Sequence, residues 1–147
     1  MSLDSVSYSS MFGRLAAHVC FKVKFCHRIF DDARVKNRCE QIFRSVAETH
    51  GFGIDTMGFD GDHVHAAIDF GPSRCPEQVS KLLKGTSAKF LLREFPFLKR
   101  EYFWGSGLWN PSYYCKSVGD RTYNETRDYV KNQGKPKHQT TLTPYFN

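Results

Sequence analysis

The chain has 147 residues and a net charge of +6, with apolar and charged fractions (40% and 24%) that are ordinary for a soluble globular domain. This length predicts one domain, residues 1–147, that can bury a hydrophobic core without disulfide bonds or a structural metal ion. The sequence has no apolar run long enough to span a membrane and no apolar signal core near its start, which argues against a membrane-spanning or secreted protein. Its five cysteines include no C-x-x-C pair, which argues against a disulfide framework and a zinc knuckle. We therefore expect a cytosolic protein with reduced thiols, and the positive charge favours nucleic acid as a partner.

The first predicted element is a strand over residues 18–25, HVCFKVKF, in which apolar and polar residues alternate. The side predicted to face the core holds Val19, Phe21, Val23 and Phe25. The other side holds His18, Cys20, Lys22 and Lys24. We expect this second side to be an open, basic face of a half-buried strand.

A helix follows, with Asp31-Asp32 as its N-terminal cap and apolar residues at helical spacing up to Val46. Gly51 is suited to end it in a left-handed turn. Residues 52–59 and 63–70 then predict two strands joined through Asp60-Gly61, a strong hairpin signal.

Pro76 opens a second predicted helix, which ends at Pro96 and contains Gly85, a residue that weakens helices. The aromatic, Gly-rich residues 101–118 predict two short strands. A last helix begins at a capping box at Thr122 and stops at Gly134. This order predicts an α+β sandwich in which helices cover one face of an antiparallel sheet.

Two histidines stand one residue apart in the strand over residues 63–70. Side chains of a strand alternate between faces, so His63 and His65 point the same way, away from Val64 and the core. Two adjacent imidazoles, together with a neutral carbonyl oxygen and phosphate oxygens, suit a divalent ion such as Mg²⁺ or Mn²⁺.

The last predicted helix carries little apolar surface, so it must dock using few contacts. Tyr129 and Gln133 are four residues apart and share a face of it. A phenol is a usable nucleophile toward phosphorus when a metal polarises the phosphate, and an amide oxygen can complete a site begun by two imidazoles. The alternative interpretation of Tyr129 is an ordinary packing aromatic.

Two motifs resemble a known family. His63-Val64-His65 matches the histidine-hydrophobe-histidine (HUH) motif of single-strand DNA nucleases, and residues 129–133, YVKNQ, match the Y-x-x-x-Q motif of their single-tyrosine transposases. These TnpA-type enzymes serve small bacterial and archaeal insertion sequences that transpose as single-stranded DNA. The resemblance covers about residues 15–133 and includes HVCFKVKFCHRIF and the aromatic segment before the tyrosine helix. Residues 134–147 form a tail without a match.

The resemblance implies a ferredoxin-like or RRM-like HUH fold, with the nucleophile on a C-terminal helix. It implies that His63, His65 and Gln133 hold one divalent metal, and that Tyr129 attacks the scissile phosphate of single-stranded DNA to leave a 5′-phosphotyrosine. It further implies recognition of hairpins at the element ends, a homodimer with active sites composite between subunits, and a prokaryotic cytoplasm.

Basic residues on the first strand and on the second helix are candidate DNA contacts: Lys22, Lys24, Arg28, Lys81, Lys84 and Lys89. Each is individually as well explained by a solvated surface. Three other functions stay open at this point. They are a non-catalytic module that binds single-stranded nucleic acid by stacking, a relative that nicks DNA for replication or conjugation, and a phosphate-ester hydrolase that uses the histidines alone.

Overall fold

A computed structural model describes residues 16–103, 105 and 107–117, together with the backbone of residues 7–8 and 11–12. The short strands β1 (Ser7–Tyr8) and β2 (Met11–Phe12) pair with each other. The remaining elements are β3 (Ala16–Lys22), α1 (Ala33–His50), β4 (Gly53–Asp60), β5 (His63–Asp69), α2 (Pro76–Glu94), α3 (Pro96–Leu98) and β6 (Tyr114–Ser117). Single turns of 3₁₀-helix cover Lys24–Cys26 and Ile29–Asp31, and a π-helical turn covers Lys99–Phe103.

The four longer strands form one antiparallel sheet in the order β4-β5-β3-β6. A β-α-β-β-α-β chain with this strand order has the ferredoxin-like topology. The predicted α+β fold class, an antiparallel sheet with helices on one face, is confirmed. The predicted helix from Thr122, which carries Tyr129 and Gln133, lies outside the described residues.

The local signals for α1 and the hairpin act as expected. The carboxylate of Asp32 accepts a hydrogen bond from the backbone N–H of Arg34 (2.9 Å), and Gly51 ends the helix at φ 74°. The strands β4 and β5 differ from their predicted limits by one residue and are joined by Gly61 and Asp62. The helix α2 runs through Gly85 without a break.

The core lies between the two long helices and one face of the sheet. Its sheet residues include Val19 and Phe21 of β3 and Val64 and Ile68 of β5. The Phe43 ring of α1 meets the Phe21 ring edge-on, with 6.0 Å between the ring centroids. No helix in the described part of the chain is long and apolar enough to cross a membrane.

Two predictions about the first strand are wrong. The strand ends at Lys22, and Phe25 is 65% exposed instead of facing the core. The face predicted to be open is also largely closed, because His18 is 2% and Cys20 6% exposed. Neutral imidazole and thiol groups can be buried once they are paired, so alternation alone does not show which face meets water.

The aromatic segment also differs from its prediction of two strands. Within the described part of residues 101–118, β6 is the one regular strand, and Trp109 forms an isolated bridge with Val23. The indole N–H of Trp109 donates to the hydroxyl of Ser87 on α2 (2.8 Å). This hydrogen bond fixes the segment to the second helix.

Candidate active site

The register between β3 and β5 assembles a cluster of imidazoles on the sheet face opposite the helices. Cys20 lies opposite His65, and Lys22 lies opposite His63. Because directly opposed residues of an antiparallel pair share a face, these four side chains project to the same side. His18, two residues before Cys20, joins them there.

His63 is held by the turn that precedes it. Its Nδ1 atom lies 2.7 Å from an oxygen of Asp62, and its side chain is 19% exposed. A carboxylate only accepts hydrogen bonds, so Nδ1 of His63 donates to Asp62, and Nε2 is the ring nitrogen that does not face this carboxylate. A carboxylate behind a histidine in this way is the usual support of a metal-ligating imidazole.

His65 is buried against a second histidine. The rings of His65 and His18 stack with 5.1 Å between centroids and 10° between planes, and Nδ1 of His65 lies 3.2 Å from Nε2 of His18. The ring of His63 meets that of His65 edge-on at 4.6 Å. When Nδ1 of His65 carries the hydrogen, its Nε2 atom keeps a lone pair.

Burial keeps His18 and His65 neutral. It lowers the pKa of His18 to about 4, and burial, followed by the charge of His63, lowers the pKa of His65 to about 2. The Sγ atom of Cys20 lies 4.0 Å from Nε2 of His65, and burial raises the pKa of this thiol to about 12. The site therefore offers imidazole nitrogens and no thiolate, which argues against a structural zinc site of the usual cysteine-rich kind.

The two imidazoles do not complete a metal site by themselves. No group of three or more His, Cys, Asp or Glu side chains that could hold a metal ion occurs in the described ranges. Further ligands must therefore come from elsewhere. Gln133, the predicted third ligand, and Tyr129, the predicted nucleophile, both lie outside the residues that the structure describes.

The six candidate DNA contacts fall into two groups. Lys22, Lys24 and Arg28 lie at the end of β3 beside the hairpin turn, close to His63. The Arg28 side chain covers this turn, since a Cβ built on Gly61 would lie 2.5 Å from its guanidinium carbon, and it pairs with Asp31 (2.9 Å). These three residues therefore lie at the same end of the sheet as His63.

The other three basic residues lie on α2, behind the sheet. Lys81 pairs with Glu77 at the surface, and Lys89 is exposed. The ammonium of Lys84 donates to the backbone carbonyl oxygen of Asn110 (2.6 Å) and more weakly to those of the next two residues. Its donors are directed into the protein, where they hold the aromatic segment.

Sequence reasoning misses the partners of the two histidines. Asp62 lies in the turn before His63, and its carboxylate contacts the His63 ring. Asp69, at the end of β5, is fully buried and accepts a hydrogen bond from the N–H of Gly71 (2.9 Å). The alternation of β3 places His18 on the same side as Cys20. The sequence does not give the register between β3 and β5, which brings His18 next to His65.

Comparison with known proteins gives a consistent assignment. Residues 11–133 match the family of IS200-like transposases. The ISDra2 transposase TnpA of Deinococcus radiodurans is 32% identical over 120 residues, which cover 82% of this chain and 84% of that protein. The transposase of insertion sequence IS200 from Salmonella typhimurium is 28% identical over 116 residues, which cover 79% and 74%.

Solved structures show the same fold. The crystal structure of a Deinococcus radiodurans protein assigned as a transposase superposes with a TM-score of 0.70 and 29% identity, covering 87% of this chain and 97% of that one. A REP-associated tyrosine transposase bound to a REP hairpin gives a TM-score of 0.62 at 11% identity, covering 86% and 71%. The chain therefore belongs to the IS200-like family of single-tyrosine HUH transposases, and its activity is that of a transposase.

Proposed function

We propose that this transposase is a metal-dependent endonuclease and strand transferase that cleaves and rejoins single-stranded DNA at the ends of an insertion sequence. The observation that carries the proposal is the pair of adjacent imidazoles on β5, each with its Nδ1 atom in contact with a neighbour, Asp62 or His18. With Nδ1 engaged in both residues, Nε2 of His63 and Nε2 of His65 are the nitrogens proposed to bind the metal.

His63 and His65, with Gln133 as the third protein ligand, would hold the ion. Bound there, Mg²⁺ or Mn²⁺ would polarise the scissile phosphate and offset the negative charge that develops on it. Burial of His65 favours its neutral imidazole, which is the form that binds metal. The sequence motif alone supports the place of Gln133 in this set.

Tyr129 is proposed as the nucleophile. Its phenolic oxygen attacks the phosphorus in line, the bond from phosphorus to the 3′ oxygen breaks, and that oxygen leaves as a 3′-OH after taking a proton. The product is a 5′-phosphotyrosine. A 3′-OH of another strand then attacks the same phosphorus and releases Tyr129. Each step replaces one phosphodiester bond with another, so no external energy source is needed.

The DNA is proposed to be single-stranded, with hairpins at the element ends, and to run across the basic surface of Lys22, Lys24 and Arg28. These residues lie at the same end of the sheet as His63, where the chain's positive charge would contact phosphates. Lys81 and Lys89 stay candidates for hairpin contacts farther away. We further propose a homodimer in which Tyr129 of one subunit serves the histidines of the other.

The decisive experiment is an adduct assay. Single strands from the DNA flanking the gene are incubated with the protein and Mg²⁺ or Mn²⁺, and a denaturing gel then separates any covalent protein–DNA species. We expect an adduct with wild-type protein and with Tyr123→Phe, a matched change in the same predicted helix, but none with Tyr129→Phe. An adduct that survives in Tyr129→Phe would refute the assignment of the nucleophile.

Metal dependence and the composite site are tested in separate experiments. EDTA and His63→Ala should each abolish the adduct while leaving strand binding in place. A mixture of Tyr129→Phe and His63→Ala proteins should recover part of the activity, because one of its mixed active sites is intact. Tight binding without an adduct under every condition would instead favour the non-catalytic binding module.

A further inference from the structure

Phe25 occupies a position that packing does not explain. Of the large hydrophobic residues that the structure describes, it alone is exposed, at 65%. Nearby apolar residues of the same segment, Val23 and Ile29, are 1% and 2% exposed. A ring that could have entered the core is directed to solvent instead.

The backbone holds Phe25 there against its own preference. Phe25 and Cys26 have φ values of 62° and 57°, the left-handed region that disfavours residues with a side chain. Such conformations persist only where the surroundings fix them, and they are concentrated at ligand sites. Two successive residues of this kind indicate that the outward direction of the ring is imposed.

Hydrogen bonds from two neighbouring segments fix the three residues that precede Phe25. On one side the N–H of Val23 donates to the carbonyl oxygen of Asp62 in the hairpin turn (2.8 Å). On the other side the N–H of Lys24 donates to Leu108 (2.9 Å), and Lys22 accepts from Asn110 (2.9 Å). The segment is therefore fixed to the same turn that carries the carboxylate bound to His63, and the ring is preorganised with respect to the imidazole cluster.

The neighbours of the ring are cationic and aromatic. The ammonium of Lys24 lies 5.8 Å from the Phe25 centroid, and the His27 ring meets it edge-on at 5.9 Å. The Tyr102 ring lies 4.8 Å from that of His27. We call Lys24, Phe25, His27 and Tyr102 the Phe25 shelf.

We propose that the Phe25 shelf stacks an unpaired DNA base of a nucleotide next to the phosphate held at His63. A nucleotide offers a flat π-face for the exposed ring and a phosphate for Lys24, which is the combination used by proteins that bind single strands. Lys22 lies opposite His63, and three residues of chain reach at most about 10 Å, so the shelf is within one or two nucleotides of the histidines.

An apolar protein partner fits this surface less well. The shelf presents one fully outward ring, and the surrounding segment adds Lys22 and Arg28, so an apolar partner would have to desolvate charges. The identity of the strand rests on the proposed function. The stacking itself is a separate property, because it concerns binding and not cleavage.

The test measures binding of a fluorescein-labelled single strand from the DNA flanking the gene, in a Tyr129→Phe background that cannot cleave. We expect Phe25→Ala and Phe25→Leu to weaken binding about 10-fold or more, the loss of one stacked base, and Phe25→Trp to retain it. Thermal unfolding should be nearly unchanged in all three variants, because the ring is exposed.

Abasic substitution identifies the stacked nucleotide. Each nucleotide near the cleavage site is replaced in turn by an abasic sugar, and the penalty of Phe25→Ala is measured again. We expect that penalty to vanish at one position only. Equal penalties at every position, or no penalty with the intact strand, would overturn the proposal.

Three further outcomes separate the remaining possibilities. If light scattering shows that Phe25→Ala turns a dimer into monomers, the ring serves a second copy of this chain and the stacking proposal fails. If wild-type protein forms no covalent adduct, but the Phe25→Ala binding penalty is present with the intact strand and vanishes at one abasic position, the proposed catalysis fails and the shelf stands. If wild-type protein forms the adduct but Phe25→Ala binds the strand unchanged, the shelf fails and the proposed catalysis stands.

Discussion

Acid should destabilise this protein well above the pH at which carboxylates titrate, because two buried histidines stay neutral in the fold. In the folded protein, His18 takes a proton only near pH 4 and His65 only near pH 2. In the unfolded chain both protonate near pH 6.5. Below pH 6.5 the unfolded state therefore holds up to two more protons, and the free energy of unfolding falls as the pH falls.

The size of the effect follows from the shifts. Each histidine lowers the free energy of unfolding by about 1.4 kcal/mol per pH unit once the pH is well below 6.5. Between pH 7 and pH 5 the loss is about 2 kcal/mol per histidine, or about 4 kcal/mol for the stacked pair. This is a large part of the total stability of a typical domain, about 5–15 kcal/mol.

Carboxylates do not obscure this window. The hydrogen bond from Arg34 lowers the pKa of Asp32, and that from Arg38 lowers the pKa of Glu94. Groups with lowered pKa values lose their stabilising effect only below the usual carboxyl range, near pH 4. The slope between pH 5 and 6.5 therefore reports the histidines.

Urea unfolding at pH 5, 6 and 7 in the presence of EDTA measures the slope, with tryptophan fluorescence as the signal. His18→Phe keeps a stacked ring but removes one titrating group, so its loss between pH 7 and pH 5 should fall to about 2 kcal/mol. Gly85→Ala, a surface change on α2, should shift the free energy of unfolding equally at each pH. A wild-type stability that changes by less than about 1 kcal/mol between pH 7 and pH 5 would refute the reasoning.

Other predictions concern metal affinity and stability. His18→Phe should also raise the Mn²⁺ concentration needed for half-maximal adduct formation about 10- to 100-fold, because His65 loses the nitrogen that orients it, and an unchanged midpoint would contradict this role. Ser87→Ala should cost about 1–3 kcal/mol in urea unfolding, since the buried indole N–H of Trp109 loses its acceptor; a cost below about 0.5 kcal/mol would mean that the bond is unimportant. Gly85→Ala should add about 0.5–1 kcal/mol, because a Cβ there meets nothing within 4 Å, and a loss of stability would exclude that account.

The elements that sequence reasoning locates are those with signals inside the element itself. Asp32 and Gly51 bound α1, and Pro76 opens α2, because caps act through the neighbouring backbone. The Asp60-Gly61 pair locates the hairpin for the same reason. Strand alternation also places His63 and His65 on one face, and the structure brings their rings together.

Features that depend on distant residues are not predictable in this way. The alternation of β3 continues to Phe25, but its ladder partner β5 begins at His63, opposite Lys22, so the ladder between these two strands ends there. The burial of His18 depends on the ring of His65, which lies 47 residues away in sequence. Strand length and burial are set by partners, and a single sequence does not show which partners meet.

The incomplete ligand set has a consequence for how the proposed enzyme would be controlled. Two neutral imidazoles bind a hard ion such as Mg²⁺ weakly, because this ion prefers oxygen. In the proposed site those oxygens come from Gln133 and from the scissile phosphate, so DNA would raise the affinity for metal. By linkage, metal would then raise the affinity for DNA by the same factor. A protein whose described sheet supplies only two of the ligands would thus hold its ion firmly only with a strand in place, and hydrolysis of stray phosphodiesters would be limited without any separate regulatory element.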